Sequence, residues 1–441
     1  MLAHVLPDDR CAVLSRDLDE TAASLASFAS ADGAAWRAEV AMWSRIREDL
    51  LDSLFTPFPP VRPGARLART LGVAEALRMA RMLTMPARTL GEERFAGDGA
   101  RLLLAGNALH SDLGPGQAGS AVFGWLLCML AQDVGFPVPE GGAGELTAAL
   151  VRRLIASGGH VECGREVTKV LVARGRAVGV ADSRGERVRA RRAVLATVPA
   201  PTLYQRLVGA DHLPARLLSD LRNFHWDDGT VKVDWTLSQP IPWNNPAANR
   251  AGTVHLDSDV DGLTDFGSAL AGGHLPDQPF LLLGQMTTAD PSRSPEGTEA
   301  AWAYTHVPRG LRWDHDEVRR YADRIEQVVE RHASGFTSTI RGRYVSGPED
   351  LAERDANLVG GAINTGTSAI HQQLVFRPLP GAGRADTPID RLYLAGASAH
   401  PGGAVHGGPG ANAARAALVR AGVGGALYGR SMRIVQDLIY A

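Results

Sequence analysis

The sequence has few cysteines, few lysines and no long apolar run. Its 441 residues include three cysteines, Cys11, Cys128 and Cys163, which stand apart without a CxxC pair. This spacing excludes a disulfide framework and a cysteine-rich metal site, and it predicts a reducing compartment, the cytoplasm. Lysine occurs only at Lys169 and Lys232, so nearly all of the 46 basic side chains are arginines. A mechanism that needs a lysine therefore has two candidates.

An excess of one charge is also absent. The 46 basic and 48 acidic side chains give a formal net charge of −2, which argues against nucleic acid as a partner. The longest apolar run, 121–131, is shorter than the roughly 20 residues of a transmembrane helix. The first ten residues lack the apolar segment of a signal peptide. With 45% hydrophobic residues, the chain is expected to be a soluble globular protein of two or three domains.

Hydrophobic spacing predicts helices in the first third of the chain. Apolar residues recur every three or four positions across 1–56 and again over 73–82. The stretch 120–133 is apolar nearly all round, which predicts a buried core helix, although it could also line an apolar cavity. A further helix is predicted for 145–157, with a glycine pair as its C-terminal cap.

After residue 160 the pattern changes to short alternating runs. They predict a β-meander with strands at 160–163, 166–172, 177–182 and 187–190. The apolar run 193–197 predicts a strand buried on both faces of a parallel sheet. Downstream, the sequence predicts a helix at 316–331 and strands at 230–237, 280–287 and 301–306.

The clearest functional signal lies at 391–418, where an apolar strand runs into a glycine cluster and then a helix. The cluster comprises Gly396, Gly402, Gly403, Gly407, Gly408 and Gly410. Glycines let a backbone approach a ligand where a Cβ would collide. Pro409 suits the first turn of the helix, whose free N–H groups and positive dipole end face the loop. The pattern predicts a site for a ligand that carries or develops negative charge; the alternative is a glycine-rich connection without a ligand.

This segment resembles the C-terminal flavin motif of the phytoene dehydrogenase-related FAD oxidoreductases, in which a strand precedes G-A-G-x-x-H-P-G-G-G-V. The matching positions are Gly396, Ala397, His400, Pro401, Gly402, Gly403, Val405, Gly408 and Gly410. Ser398 and Ala404 stand where the family has glycine. The resemblance implies FAD as the cofactor, bound by Gly396, Ala397, Gly402, Gly403, Ala404, Val405, Gly408 and Gly410.

The resemblance covers nearly the whole chain. The runs 343–351 and 360–363, Gln373 and Arg377-Pro378 are similar to the branch of the family named for a pyridine nucleotide-disulfide oxidoreductase domain. In such proteins a valine of the meander contacts the adenine through its backbone, and Val167 holds the matching position. Arg377 is expected to hold a loop carbonyl or a carboxylate rather than to bind substrate.

The N-terminal βαβ unit of the family, with its G-x-G-x-x-G loop, is not found at the start of this sequence. A literal match at 114–119 is interpreted as chance, because no buried strand precedes it and Pro115 removes an amide. Three explanations stay open: a start codon placed too late, which we favour, a separate chain that supplies the unit, or a real loss of flavin binding. If the loss is real, the affinity for FAD is expected to fall by many orders of magnitude. Purified protein of this length is expected to be colourless or weakly yellow.

The expected fold is an α/β protein of two interleaved domains. Residues 137–202 and 379–441 would form an incomplete Rossmann-like FAD-binding domain without the N-terminal βαβ unit. Residues 1–136 and 203–378 would form an α+β substrate domain.

The leading functional hypothesis is an FAD-dependent oxidoreductase, dehydrogenase- or desaturase-like, that transfers a hydride from an apolar or isoprenoid-like small molecule to flavin. Flavin itself accepts the hydride, and the helix from Pro409 would stabilise the negative charge that reduction places on the ring. The catalytic base stays unknown; His406 and His400 are weak candidates and His110 is a third.

Two other hypotheses stay open. In a flavin amine oxidase-like enzyme, Lys232 would be the residue that holds a water near the flavin. The other alternative is a truncated, partner-dependent protein without catalysis. No metal site is predicted, because the 13 histidines show no HxxxH spacing. Contact with a membrane surface and the oligomeric state stay open.

Overall fold

The computed structural model describes residues 1–256 and 258–441. These residues fold into two compact units built from interleaved segments. Unit 1 comprises Met1–Arg45, Val73–Val161 and Asp228–Ala362, and unit 2 comprises Ile46–Gly72, Glu162–Asp227 and Ile363–Ala441. The predicted α/β class with interleaved segments is confirmed.

The strands are β1 (Leu2–Val5), β2 (Cys11–Leu14), β3 (Val167–Ala173), β4 (Arg176–Asp182), β5 (Arg187–Arg189), β6 (Val194–Ala196), β7 (Gly229–Leu237), β8 (Thr253–Leu256), β9 (Leu281–Gln285), β10 (Glu299–Val307), β11 (Ile340–Ser346) and β12 (Leu392–Leu394). The helices are α1 (Leu18–Ala26), α2 (Asp32–Phe55), α3 (Val61–Met82), α4 (Ala87–Arg94), α5 (Asp98–Ala108), α6 (Ser120–Val134), α7 (Ala143–Ala156), α8 (Ala215–Leu221), α9 (Val260–Ala271), α10 (Met286–Ala289), α11 (His315–His332), α12 (Phe336–Thr339), α13 (Pro348–Arg354), α14 (Gly408–Ala421) and α15 (Gly425–Tyr440).

Unit 1 is built on a seven-stranded sheet in the order β11-β7-β10-β9-β8-β1-β2. Neighbouring strands are antiparallel except for the parallel pair β1 and β8. Alternate residues of β7 and β10, such as Val233 and Ala303, join the buried face of α11 in the largest core cluster. The amphipathic pattern of α11 explains this packing, because its apolar residues recur on one side.

The prediction that residues 1–56 are helical is wrong for the first fourteen residues. They form the hairpin β1–β2 around Pro7, and β1 extends the large sheet by pairing with β8. Both strands are four residues long, too short for their alternation to be recognised, and β8, the partner of β1, lies some 250 positions away in the chain. Helical spacing begins only with α1, where the side chain of Asp17 caps the N-terminus.

The apolar helix predicted at 120–133 is α6, and its place in the core is confirmed. Trp125, Cys128 and Met129 on this helix are buried. Its polar groups are paired inside unit 1: Trp36 donates to Gln132 Oε1 at 2.9 Å, and Trp125 donates to Glu39 Oε2 at 2.9 Å. The helix is therefore part of the core of unit 1, with these polar groups paired.

Unit 2 contains the antiparallel sheet β3-β4-β5 and the parallel pair β6 and β12. The meander is confirmed except for 160–163, which is irregular. The parallel pairing of β6 is confirmed, but its burial on both faces is wrong, because Leu195 is 42% exposed. An apolar run of five residues therefore overstated the burial of a strand that has one partner among the described residues.

The units divide the chain at other positions than the predicted domains. Segments 46–72, 203–227 and 363–378 lie in unit 2, and segment 137–161 lies in unit 1. Side-chain bonds explain part of this division. Gln372 accepts a hydrogen bond from the His225 backbone N–H at 2.9 Å and donates to the His225 carbonyl at 2.8 Å. The assignment of a cofactor or a substrate to either unit stays a prediction.

Candidate cofactor site

The glycine cluster of unit 2 begins where β12 ends. Gly396 follows β12, and a Cβ at this position would collide with the carbonyl oxygen of Thr197, which follows the parallel neighbour β6. Ala395 donates its backbone N–H to the carbonyl oxygen of Ala196 at 2.7 Å. Gly396 is therefore required by the close approach of two strand ends, whether or not a ligand binds.

Ser398 replaces a glycine of the family motif and ties the loop down. Its Oγ donates to the Thr365 carbonyl oxygen at 2.8 Å and accepts from the Ala200 backbone N–H at 3.1 Å. The side chain is buried. The departure from the motif thus adds two hydrogen bonds that fix the start of the loop to two other segments of unit 2.

Arg377 is buried beneath the same loop, with 1% of its surface exposed. Its guanidinium donates hydrogen bonds to the carbonyl oxygens of Ala397, Thr367, Asn364 and Gly366 at 2.8–3.3 Å. The prediction that Arg377 holds loop carbonyls is confirmed. Its planar fork of donors can serve several acceptors at once, which a lysine could not do in the same geometry.

Asp227 and Asn364 belong to the contacts that hold the segment packed against the loop. Neither residue was predicted from the sequence. The buried carboxylate of Asp227 accepts the backbone N–H groups of Asn364 at 2.7 Å and Gly366 at 2.8 Å. A Cβ on Gly403 would lie 2.9 Å from Asn364 Oδ1. The run of turn-forming residues at 364–368 was the available signal, because Asn, Thr and Gly favour such backbone-capping turns.

His400 anchors the loop. Its ring is 3% exposed, and its Nε2–H donates to the Thr56 carbonyl oxygen at 3.0 Å. Burial lowers the pKa of His400, with smaller opposing effects of backbone hydrogen bonds. The ring is therefore neutral at pH 7 and holds the loop against residue 56, while its role as a base stays a prediction.

His406 lies on the exposed part of the loop and packs edge-to-face on Phe55, with ring centroids 5.0 Å apart. Its Nδ1 accepts the Gly408 backbone N–H at 2.9 Å. Partial burial lowers its pKa, so the ring is neutral at pH 7 and carries its proton on Nε2. The one lone pair that could accept a proton is thus used by Gly408, which argues against His406 as a base.

The outer part of the loop is exposed and has an unusual backbone. Val405 is 87% exposed. Gly402 and Gly407 have φ angles of +120° and +66°, and Ala404 has +133°. A residue with a Cβ is strained at such a φ angle. The family motif has glycine at this position. Val405 is therefore an exposed apolar side chain on a loop with a strained backbone.

Gly410 in the first turn of α14 differs from the other glycines of the cluster. The nearest atom to a Cβ at this position would be the Ala395 carbonyl oxygen, 3.9 Å away, and its φ angle is negative. In the described part of the chain no acceptor pairs with its backbone N–H. Nothing within the protein therefore requires glycine here, while an open amide at a helix N-terminus favours an anionic group.

These observations fit a flavin. The space around the Cα of Gly410 is free of side chains, its amide is a donor without a partner, and Val405 offers an apolar surface. An isoalloxazine ring has an apolar face and an edge of nitrogen and carbonyl oxygen atoms, which matches this set of groups. Val167, the first residue of β3, also lies in unit 2 and is 38% exposed. Its contact with adenine stays a prediction.

The literal G-x-G-x-x-G run at 114–119 lies in unit 1, between α5 and α6. Gly114 packs against the backbone of Gly267, and its N–H donates to Gln117 Oε1 at 2.9 Å. The interpretation of this run as a chance match is confirmed, because a dinucleotide loop follows a strand and leaves its amides for phosphate.

The cavity described in unit 2 does not coincide with the glycine loop. A cavity of about 530 Å³ in unit 2 is lined by residues around β12 and α15, including Asp386, Tyr393 and Tyr428, but by none from 396–410. Over the described residues, no group of three or more His, Cys, Asp or Glu side chains is arranged to hold a metal ion. In the same residues, no helix combines the length and apolarity needed to cross a bilayer.

The comparisons with known proteins agree with these features. A sequence model of the family described as flavin containing amine oxidoreductase matches residues 94–418. Pyridine nucleotide-disulfide oxidoreductase domain-containing protein 2 of Rattus norvegicus is 28% identical over 373 residues, which cover 80% of this chain and 64% of that protein. The chain therefore spans slightly less than two thirds of the length of this curated relative.

The chain is also similar to a phytoene desaturase and to solved structures of two oxidoreductases. The neurosporene-forming phytoene desaturase of Rhodobacter capsulatus is 24% identical over 296 residues, covering 64% of this chain and 53% of that protein. A solved structure of putrescine oxidase superposes with a TM-score of 0.53 at 14% identity, covering 95% of this chain and 80% of that one. An oxidoreductase of Methanosarcina mazei gives 0.51 at 15% identity, covering 77% and 70%. At these identities the superpositions show the fold alone.

Proposed function

The chain belongs to the family of flavin-containing amine oxidoreductases, whose cofactor is FAD, and on this premise we propose that it is an FAD-dependent oxidoreductase that takes a hydride from an apolar, isoprenoid-like substrate. The observation that carries the proposal is Gly410 in the first turn of α14, where the backbone amide has no partner among the described residues and no side chain approaches the position of a Cβ. The phytoene desaturases among the relatives support the apolar substrate.

The residues of unit 2 would bind and orient the cofactor. Gly402 to Gly407 would lie along the ring, with Val405 in apolar contact, and the N-terminal turn of α14 would face its polar edge. Bound FAD supplies the hydride-accepting chemistry. The dipole of α14 and the Gly410 amide would stabilise negative charge close to the helix N-terminus, by field and by direct hydrogen bonding. Arg377 and Ser398 keep the loop in place.

The amine oxidase alternative depends on Lys232, which is ion-paired. Its Nζ donates to Asp234 Oδ1 on the same strand, and the two side chains are 33% and 41% exposed. The ammonium group has two further donors, so the ion pair alone does not decide whether Lys232 could hold a water. The similarity to putrescine oxidase supports the shared fold and says nothing about the substrate.

The cytoplasm is proposed as the location, supported by the free cysteines Cys11, Cys128 and Cys163. Contact with an anionic membrane surface is proposed for α15, on which Leu427, Ile434 and Leu438 are 60–78% exposed beside the exposed Arg430 and Arg433. Sedimentation with phosphatidylglycerol vesicles tests this contact. Binding that is absent, or equal for neutral phosphatidylcholine vesicles, contradicts it.

Anaerobic spectroscopy tests the reaction class. The protein is loaded with FAD, and phytoene in detergent, putrescine or benzylamine is added. We expect phytoene or a related polyene to bleach the flavin absorbance near 450 nm, while both amines leave it unchanged. Bleaching by an amine and by no polyene would replace the proposal with the amine oxidase alternative.

A further inference from the structure

One face of the sheet of unit 1 is buried at one end and partly exposed at the other. At one end, His4 on β1 and His255 on β8 lie under α5 and are fully buried. At the other end, β10, β7 and β11 carry a set of partly exposed side chains on the same face, which we call the aromatic wall. The wall comprises Trp302, Tyr304, Lys232, Asp234 and Tyr344.

Strand register places these five side chains together. Trp302 is paired with Asp234 and Tyr304 with Lys232 across β10 and β7, and Tyr344 is paired with Asp234 across β11 and β7. Residues opposite each other in neighbouring strands project from the same face of a sheet, as do residues two apart along one strand. The opposite face, with Val233 and Ala303, belongs to the core.

The two aromatic rings of β10 lie nearly parallel to each other. Trp302 and Tyr304 have ring centroids 5.9 Å apart and planes inclined by 16°. The residue paired with Trp302 on β9 is Gly284, and a Cβ there would collide with the indole ring. The missing side chain lets the indole lie over the backbone of the neighbouring strand. Tyr344 is 60% exposed and adds a third ring on β11.

The charged groups beside these rings neutralise each other. Lys232 donates to Asp234, both on β7, and each is partly exposed. An exposed ion pair adds little stability, so stability alone does not account for one of the two lysines of the chain at this position. With its carboxylate paired, the wall has no free anionic group to attract an ammonium ion.

We propose that the aromatic wall binds the planar, uncharged unsaturated part of the substrate by stacking on Trp302 and Tyr304, and that the Lys232–Asp234 pair hydrogen-bonds a polar oxygen at its end. The proposal rests on the proposed function, because it names the substrate class that an FAD-dependent enzyme of this family would hold on unit 1. An aromatic surface favours a conjugated chain over a saturated one through π contacts. A hydroxyl group can accept from Lys232 and donate to Asp234 at once.

Binding of all-trans-retinol, a neutral polyene alcohol, tests the wall without turnover. Energy transfer from tryptophan to retinol is followed in the whole protein. We expect saturable binding, weakened at least tenfold by Trp302→Ala and by Tyr304→Ala, and kept within threefold by Trp302→Phe. Leu311→Ala, which removes a 39% exposed leucine outside the wall, is the matched control. Far-UV circular dichroism and the melting temperature of each variant show whether it is folded.

The Lys232–Asp234 ion pair gives a second test, in which a substitution should improve the binding of a ligand. In Lys232→Met the Asp234 carboxylate is left without its cation, so binding of retinylamine should improve relative to retinol by tenfold or more. Wild-type protein that prefers retinylamine, or Trp302→Ala and Tyr304→Ala variants that bind retinol as wild type does, would overturn the inference.

Flavin content separates this inference from the proposed function. Retinol bound at the wall by protein that takes up no FAD contradicts the proposed function and leaves the wall standing. FAD uptake together with unchanged retinol binding in the Trp302→Ala and Tyr304→Ala variants contradicts the wall and leaves the proposed function standing.

Discussion

Arg377 donates two hydrogen bonds to the carbonyl oxygen of Ala397, from Nε at 3.1 Å and from Nη2 at 2.8 Å. The same guanidinium reaches three more carbonyl oxygens, so one buried side chain joins the segment 364–367 to the loop after β12. The protein itself therefore holds the start of the candidate cofactor loop.

Arg377→Met should destabilise unit 2 strongly. The substitution leaves four carbonyl oxygens without this donor, and a buried unsatisfied acceptor costs about 1–3 kcal/mol. We expect the free energy of unfolding in urea to fall by at least about 3 kcal/mol and FAD binding to be lost as well. Arg206→Met, at an exposed position of unit 2, should change it by less than about 0.5 kcal/mol. Equal stability of the two variants contradicts the role of Arg377.

The buried histidines of unit 1 predict a dependence of stability on pH. His255 Nε2 lies 2.8 Å from His110 Nε2. Burial lowers the pKa of His4 and of His110 to about 4, and burial together with these two neighbours lowers that of His255 well below its ordinary value. The unfolded chain, with histidine pKa near 6.5, binds more protons than the folded chain between pH 6.5 and 4. Stability should therefore be complete above pH 6.5 and decline as the pH falls toward 4.

His4→Phe tests this dependence. His4 stacks on Phe280, so a phenyl ring can take its place while removing one proton-binding site. The loss of unfolding free energy between pH 7 and 4.5 should be smaller than in wild type by on the order of 2–3 kcal/mol. His274→Asn, at an exposed position, should retain the wild-type slope. Identical slopes for all three proteins would show that the buried histidines do not set the acid sensitivity.

Gly106→Ala should destabilise unit 1. A Cβ at residue 106 of α5 would lie 2.6 Å from His255 Nδ1 and 2.9 Å from His4 Nδ1, so the helix or both rings must shift. Overpacking of this kind costs about 1–3 kcal/mol. Gly144→Ala is the matched control, because a Cβ there meets nothing and alanine is the better helix former by up to about 1 kcal/mol. Thermal melts of both variants check the opposite signs.

Gly403→Val should abolish flavin binding, but for a reason within the protein. Its Cβ would lie 2.9 Å from Asn364 Oδ1, so the substitution disturbs the loop even without a ligand. We expect a lower melting temperature together with the loss of binding. A variant that keeps the melting temperature of wild type would show that the loop tolerates a side chain at this position.

Much of the fold could be predicted from local patterns. The spacing in α6 and α11 and the alternation in β7 and β10 were sufficient, because each element is long and buries one side or all of itself. The hairpin β1–β2 could not be predicted, because its strands are short and their place in the sheet depends on pairing with β8. The exposure of Leu195 could not be predicted either, because it depends on which elements pack against β6, and the apolar pattern of a strand does not identify them.

For the candidate site, too, some features could be predicted from the sequence and others required the structure. The motif glycines and Arg377 could be named from the sequence, because they match motifs of the family that the chain resembles. Which glycines the protein needs for itself could not be told, because the collisions of Gly396 and Gly403 involve Thr197 and Asn364, far away in the chain. The aromatic wall required strand register, which joins β10 to β7 and β11 only in three dimensions.

The most direct test of the account is a titration of the protein with FAD, followed by quenching of flavin fluorescence, for wild type and Gly410→Val. A Cβ at residue 410 would have the Ala395 carbonyl oxygen, 3.9 Å away, as its nearest neighbour outside the helix, so we expect the melting temperature without flavin to stay within about 2 °C of wild type. The account predicts saturable one-to-one binding to wild type and none to Gly410→Val. Equal binding by both proteins, or no saturable binding to wild type, would contradict the claim that this loop and helix bind a flavin.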